Sequence, residues 1–300
     1  MVFHKYQSLG NDYLVYDCNR NQQNISSSLI SKLCDRHLGI GADGIVVGPF
    51  FTDKGLSVSI YNSDGTESEQ GGNAVLIFAK YLKDAGYIQK KEFTLITKGG
   101  KNIIRYHNEL GTSASVAMGK LDFSPEAVGC TFCPLNIASH STTTDAYSNI
   151  NTVKKGELVD VPMKFGDFTY RCTCVSVGNP HCVLPYRVVN KDIVCDIAEK
   201  INKTSYFINQ VNTEIVQIID THNIKIEIFE RGSGYTLASG SSACAAVGAM
   251  YKMGFVTNKV NVQMPGGMLL ISIDEDLNVS MTGTVEAICR IHLSEEYRIY

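Results

Sequence analysis

Residues 224–256 read "IKIEIFERGSGYTLASGSSACAAVGAMYKMGFV", a strand-like run followed by a glycine-rich loop and a helix-like run. Residues 56–88, "LSVSIYNSDGTESEQGGNAVLIFAKYLKDAGYI", align with them without a gap at an offset of 168 positions (224 − 56). Within this alignment Gly72 pairs with Gly240, and Gly86 pairs with Gly254. Each copy therefore predicts a strand, a loop, and a helix that begins at one glycine and stops at another. We expect the chain to contain the same unit twice.

The repeat extends beyond the helix, into "FTLITKGG" in the first copy and "VNVQMPGG" in the second. The sequence thus predicts an α+β fold of two pseudo-symmetric α/β halves, each with strands wrapped around a central helix. We expect residues 1–118 plus 285–300 to form the N-terminal half, residues 119–284 the C-terminal half, and a ligand cleft to lie between them. Because a helix N-terminus presents free N–H groups and a positive dipole end, both helices are predicted to hold a carboxylate.

Composition favours a folded protein that acts on a small molecule. The 300 residues are 44% hydrophobic and 19% charged, which is enough apolar material for a core. The net charge of −3 provides no basic surface, so nucleic acid and anionic membranes are disfavoured as partners. No signal peptide or membrane-spanning apolar run is recognisable in the sequence. We therefore predict a soluble, cytoplasmic protein.

The ten cysteines are scattered, mostly within apolar runs, and are interpreted as reduced thiols. Cys130 and Cys133 ("CTFC") have the spacing of a zinc-ligand pair, and Cys172 and Cys174 ("CTC") follow later. However, "YRCTCVSVG" alternates like a strand, which accounts for the second pair as structure. The sequence has no H-E-x-x-H motif, and nothing marks a lysine as the partner of pyridoxal phosphate, so we expect no cofactor. Cys244, one turn into the second helix, is interpreted as a core residue.

Several hydrogen-bonding residues lie next to glycine or proline at predicted strand ends. They are Asn11, Asn62, Asn73, Asn179, His181, Asn212, Glu230 and Arg231. A single asparagine in such a place is usually a turn residue, because its side chain caps the local backbone. Taken together, amide groups and one guanidinium suit a zwitterionic ligand, since arginine grips carboxylates and asparagine both donates and accepts.

Six motifs, in this order, resemble the diaminopimelate epimerase family along nearly the whole chain. They are "KYQSLGNDYLVYD", "LCDRHLGIGADGIVV", "IYNSDGTESE" followed by "GGN", "VGNPHCV", "FERGSGYTLASGS" and "MTG". The resemblance implies an isomerase in amino-acid metabolism, specifically lysine biosynthesis, and a tendency to form homodimers. It also implies a reaction in which two cysteines, one at each helix N-terminus, move a proton at an amino-acid α-carbon without pyridoxal phosphate or metal.

The resemblance also assigns roles to individual positions. It places Asn62, Asn179, Asn212 and Arg231 at the distal, non-reacting end of the substrate, with Asn11 as a further matching residue. It places Gly72, Asn73, Gly240 and Ser241 in the backbone cradle of the reacting carboxylate, with Glu230 and His181 as polar neighbours. The two cysteine positions of the family are occupied here by Gly71 and Ser239, and Ala74 and Leu76 also depart from its pattern.

The two lost thiols leave several reactions open. A serine hydroxyl, with a pKa of about 13 against about 8.5 for a thiol, costs roughly 6 kcal/mol more to ionise. Ser239 is therefore predicted to donate a hydrogen bond or proton, assisted by Glu230 or His181. One hypothesis is a one-sided proton transfer, elimination, isomerisation or ring closure on an α-amino acid. A second is residual epimerisation of diaminopimelate or another amino acid by Ser239 and a substitute base, such as Glu69 or a bound water. A third is an amino-acid-binding protein without catalysis.

Overall fold

The computed structural model describes residues 1–68, 71–131 and 156–298. The chain divides into two compact units. The first unit comprises Met1–Ala117 with Thr282–Tyr300, and the second unit comprises Met118–Met281. Two residues of the sequence analysis, Glu69 and Cys133, lie outside the described residues.

Strands dominate both units. Numbered along the chain, they are β1 Val2–Ser8, β2 Asn11–Asp17, β3 Gly44–Thr52, β4 Gly55–Asn62, β5 Glu67–Ser68, β6 Glu92–Thr97, β7 Gly100–Tyr106, β8 Ser113–Lys120, β9 Val161–Phe165, β10 Phe168–Ser176, β11 Pro180–Pro185, β12 Asn212–Asp220, β13 Asn223–Glu230, β14 Gly234–Thr236, β15 Lys259–Met264, β16 Gly267–Ile273, β17 Asn278–Thr284 and β18 Glu286–His292. The α-helices are α1 Ser27–Cys34, α2 Gly72–Asp84, α3 Pro125–Val128, α4 Lys191–Asn202 and α5 Gly240–Lys252, and a 3₁₀ turn covers Glu296–Arg298.

The repeat in the sequence is present in the strand pairing of the two units. β2 and β3 run parallel in the first unit, as β11 and β12 do in the second, and β4 and β13 each follow as an antiparallel neighbour. The partner residues match at the same offset of 168: Tyr13 opposite Gly44 corresponds to His181 opposite Asn212, Ile45 opposite Tyr61 to Thr213 opposite Phe229, and Ile60 opposite Ser68 to Ile228 opposite Thr236. The two units therefore share one topology and one register, and the predicted duplication is confirmed.

Each unit has one helix at its centre, as the sequence predicted. α2 is buried from Asn73 to Leu82, and α5 is buried over nearly its whole length. α2 packs on β1, β2, β3 and β7, and α5 packs on β10–β13, β15 and β16. A helix with apolar residues on every side is stable only when protein surrounds it on every side. Both helices stop before a glycine with positive φ, Gly86 at 80° and Gly254 at 78°.

The core of the first unit centres on Phe3, Leu14, Tyr16 and Leu33, which are almost fully buried. The core of the second unit includes Met163, Phe165, Leu184 and Ile215. With its own core and one central helix in each unit, the structure has the α+β fold that the sequence predicts. Among the described residues, no helix is both long enough and apolar enough to span a membrane.

Candidate functional site

The first turns of the two central helices differ in how they are capped. α5 begins after Ser239, whose Oγ accepts a hydrogen bond from the Ser242 backbone N–H at 3.4 Å. α2 begins after Gly71, which offers no side-chain cap. Because first-turn N–H groups have no acceptor within their own helix, both helix ends retain donors for an anion. The positive dipole end adds to this preference in each unit.

In the first unit, Asn11 lies beside the start of α2 with its amide held in one orientation. Its Nδ2 donates to Asp43 Oδ2 at 2.7 Å, and its Oδ1 faces Asn73 Nδ2 at 3.5 Å. A carboxylate only accepts hydrogen bonds, so Asp43 fixes which end of the amide points away from it. Asn11 therefore presents its carbonyl oxygen towards the first turn of α2. The Asn73 Oδ1 atom is buried without a hydrogen-bond partner among the described residues.

A network of charged residues holds Asp43 in place. Arg36 donates to Asp43 Oδ1 at 2.7 Å and to Asp12 Oδ1 at 2.6 Å. Lys5 approaches Asp12 at 2.9 Å. Burial raises the pKa of Asp12, but the hydrogen bonds from Arg36 and Lys5 outweigh this, and the pKa lies below its usual value. The sequence analysis did not identify these residues, although Arg36 and Asp43 stand in the family-like motif "LCDRHLGIGADGIVV".

In the second unit, Asn179 lies beside the start of α5 and is held by a buried histidine. His181 Nε2 is 3.0 Å from Asn179 Oδ1, and His181 Nδ1 is 2.7 Å from Glu214 Oε1. Both His181 and Glu214 have no exposed surface. The Asn179 Nδ2 in turn donates to Ser241 Oγ at 3.5 Å, and Ser241 Oγ lies 3.4 Å from Ser239 Oγ. Both ring nitrogens of His181 therefore have a hydrogen-bond partner, and the contact of Nε2 with Oδ1 orients the Asn179 amide.

These two arrangements occupy equivalent positions of the repeat. Asn11 and Asn179 differ by 168 positions, as do Asn73 and Ser241. In each unit the asparagine contacts the side chain of the second residue of the central helix, Asn73 in α2 or Ser241 in α5. Their polarity is opposite, because Asn11 offers an acceptor to the helix end and Asn179 offers a donor. Each unit therefore presents a different hydrogen-bonding group at its own helix end.

The remaining predicted binding residues behave differently from one another. Asn62 is exposed and donates to Thr66 Oγ1 at 3.0 Å, within the turn that follows β4. Asn212 is buried and bridges Pro180 O at 3.0 Å and the Arg231 backbone N–H at 2.9 Å. It thereby fixes the start of the loop that carries Arg231.

At the end of β13, the neighbouring charged pair is accessible. The Arg231 side chain is exposed, and its Nη1 donates to the Asn209 carbonyl at 3.3 Å. Glu230 is half-buried, and its carboxylate makes no hydrogen bond or ion pair with the residues that the structure describes. Both groups therefore remain available to a ligand of the second unit.

The cysteines that the structure describes in the second unit's core are structural in character. Cys172, Cys174 and Cys182 are fully buried free thiols. Cys174 lies opposite Cys182 in the antiparallel pairing of β10 with β11. Burial raises the pKa of the Cys244 thiol well above its usual range, as expected for a core residue. Among the described residues, no group of three or more His, Cys, Asp or Glu side chains is placed to hold a metal ion. The suggested Cys130 and Cys133 pair falls partly outside those residues.

Comparison with known proteins agrees with this architecture. The family model for diaminopimelate epimerase matches residues 3–124 and 173–288. Diaminopimelate epimerase 2 of Nostoc sp. is 34% identical over 299 residues, which cover 99% of this chain and 96% of that protein. The chain belongs to the diaminopimelate epimerase family.

Solved structures share the fold at low sequence identity. A hydroxyproline epimerase from Agrobacterium vitis, with bound trans-4-hydroxy-L-proline, has a TM-score of 0.63 at 10% identity, covering 97% of this chain and 91% of that one. A phenazine biosynthesis PhzF-family protein from Enterococcus faecalis has a TM-score of 0.61 at 10% identity, covering 97% and 99%. These likenesses concern the fold alone.

Proposed function

We propose that the chain binds an α-amino acid, diaminopimelate or an analogue of it, at the N-terminal turns of α2 and α5. The observation that carries the proposal is the pair of equivalent first turns, each with an oriented asparagine beside it. Membership in a family whose named members include diaminopimelate epimerases supports the choice of ligand. In this proposal the N–H groups of Gly72 and Asn73, and of Gly240 and Ser241, bind the reacting carboxylate. Asn62, Asn179, Asn212 and Arg231 bind the distal end.

The reaction that we propose is a one-sided proton transfer at or near the α-carbon. Neither N-cap position carries a thiol, because Gly71 has no side chain and Ser239 has a hydroxyl. Ser239 acts as a hydrogen-bond or proton donor next to the helix dipole. Glu230 acts as the base in this proposal, since its carboxylate makes no hydrogen bond or ion pair with other described residues. An elimination, isomerisation or ring closure begins with the same proton transfer.

A second candidate function is amino-acid binding without catalysis. The observation that favours it is the full engagement of His181, which leaves one fewer group for proton transfer. Binding needs only the oriented amides, Arg231 and the helix ends, all of which this chain has. The two candidates therefore predict the same ligand and differ only in what happens at its α-carbon.

Proton exchange distinguishes the candidates. The full chain is incubated with diaminopimelate in D₂O, and the α-hydrogens are followed by ¹H NMR while binding is measured by calorimetry. Exchange with retained configuration supports one-sided proton transfer, and it should disappear in Ser239→Ala or Glu230→Gln. Binding without exchange supports the second candidate. Exchange with inversion would show that epimerisation persists, and absence of binding would overturn the proposed ligand.

Binding by Arg231 provides an independent check of the ligand's distal end. A charged hydrogen bond contributes roughly 1.5–3 kcal/mol, so Arg231→Ala should weaken binding about 10- to 150-fold. Arg187→Ala, which changes another exposed arginine of the second unit, serves as the matched control. Equal binding by the parent and Arg231→Ala would remove Arg231 from the site.

A further inference from the structure

His181 and Glu214 form a polar pair in a place where the fold does not require one. Both side chains are completely buried, in β11 and β12. The equivalent positions of the first unit, at the offset of 168, are Tyr13 and Val46, and the same strands pair there in the same register. Burying an imidazole and a carboxyl group costs free energy unless hydrogen bonds compensate for it. A specific use in the second unit is therefore expected.

The hydrogen bonds around this pair determine where its protons lie. Asn179 Oδ1 is an acceptor, so the His181 Nε2 that faces it carries a hydrogen. The 2.7 Å contact between His181 Nδ1 and Glu214 Oε1 requires one further proton, which the two atoms share. This holds both for a neutral pair with protonated Glu214 and for an ion pair. In both forms the proton shared with Glu214 leaves a hydrogen on His181 Nε2 for Asn179, whereas an ionised Glu214 beside a neutral imidazole would hold the hydrogen on Nδ1.

We propose that Glu214 is a positioning residue that acts on the ligand through His181 and Asn179. By holding His181 as a donor at Nε2, it turns the Asn179 amide so that Nδ2 points to Ser241 at the start of α5. The second unit then offers an amide donor to a ligand carboxylate. The inference rests on the proposed function for the identity of the ligand, whereas the hydrogen-bond relay lies within the second unit alone.

The relay predicts what different substitutions of Glu214 do. Without a side chain at position 214 that shares a proton with Nδ1 or donates to it, the neutral imidazole is free to carry its only hydrogen on Nδ1, which makes Nε2 an acceptor. The Asn179 amide then turns over and presents its oxygen to the ligand carboxylate, which it repels. In Glu214→Gln, the side-chain amide donates to Nδ1 and preserves the hydrogen on Nε2. In Glu214→Leu, no such donor remains.

The test measures the imidazole directly and binding separately. The full chain is labelled with ¹⁵N-histidine, and long-range ¹H–¹⁵N spectra assign the protonated nitrogens of His181 among the seven histidines by comparison with His181→Asn. Calorimetry with diaminopimelate is done on the same samples. We expect Nε2–H in the parent and in Glu214→Gln, with binding within about threefold. We expect Glu214→Leu to lose the uniform Nε2–H state and to bind about 5- to 150-fold more weakly, as for an unsatisfied buried group.

A control separates positioning from damage to the sheet. Glu227 is a buried glutamate of β13 that bonds to Tyr235 OH at 2.8 Å and has no link to Asn179. Glu227→Leu should leave the His181 spectrum and the affinity unchanged.

Three results would overturn the inference. The first is a parent His181 that carries no hydrogen on Nε2, a result that needs no Glu214 variant and holds even if Glu214→Leu does not fold. The second is unchanged binding by a folded Glu214→Leu, and the third is equal loss of binding in Glu214→Gln and Glu214→Leu. If the parent does not bind diaminopimelate, the proposed function fails, and the imidazole spectra still decide the role of Glu214.

Discussion

Restoring two thiols at the helix N-termini tests whether their loss alone separates this chain from an epimerase. The variant combines Gly71→Cys with Ser239→Cys. The backbone at both positions is extended, with φ of −155° and −147°, so either residue type is tolerated. A Cβ at position 71 would meet Ala74 Cβ at 3.3 Å and Ile60 Cγ2 at 3.9 Å. A shift of a few tenths of an ångström therefore accommodates the new side chain.

The expected gain is large because a thiol ionises far more readily than a hydroxyl. The difference of about 4.5 pKa units between serine and cysteine corresponds to roughly 6 kcal/mol. The helix dipole favours the thiolate by about 0.3–1 kcal/mol more at each helix. Against this, Ser239→Cys weakens the cap on Ser242, whose 3.4 Å hydrogen bond is long, so the cost is about 1 kcal/mol or less. The variant should therefore fold.

The assay follows interconversion of diaminopimelate stereoisomers, together with deuterium incorporation in D₂O. The parent and both single variants should not invert the α-carbon, and the double variant should do so measurably. Because a misplacement of about 1 Å can cost a hundredfold in rate, even a slow inversion supports the placement. Gly71→Ser in the parent is the matched control, since it adds a side chain of similar size without a thiol.

Two results would refute the reasoning. One is a double variant that binds diaminopimelate but exchanges the α-hydrogen no faster than Gly71→Ser. The other is a crystal structure of the double variant in which the reacting carboxylate lies away from the N-termini of α2 and α5. In both cases the helix ends would not be the reacting centre.

Two further predictions concern stability. Gly71→Ser should stabilise the chain by about 0.5–1.5 kcal/mol, because it restricts the unfolded chain and adds the cap that Ser239 provides in the second unit. In thermal denaturation, Gly71→Ala should gain only the stability that comes from restricting the unfolded chain. A destabilised Gly71→Ser would contradict the equivalence of the two caps. Because the folded pKa of Asp12 is lowered, its contribution is fully present above its usual value of about 3.8 and is lost as the pH falls through the folded pKa. Urea denaturation between pH 2 and 6 should thus show the stability difference between the parent and Asp12→Asn shrinking towards low pH, and a pH-independent difference would exclude this linkage.

The sequence by itself determined the duplicated framework. Paired glycines marked where α2 and α5 begin and end, and the continuous apolar runs between them predicted helices surrounded by protein. These features are local, because helix periodicity, caps and stop signals depend on residues a few positions apart. The same short-range motifs, in order, were sufficient to identify the family.

Only the tertiary structure decided how the site residues are held. Glu214 reaches His181 from a neighbouring strand, and Asp43 reaches Asn11 after a separation of 32 residues. In the sequence, a glutamate within an apolar strand and an aspartate between Ala42 and Gly44 carry no sign of these partners. The amide orientations of Asn11 and Asn179 follow from those contacts, since a hydrogen-bond partner fixes which end of an amide faces it. Whether such a partner is present depends on strand pairing between distant segments, which local periodicity does not encode.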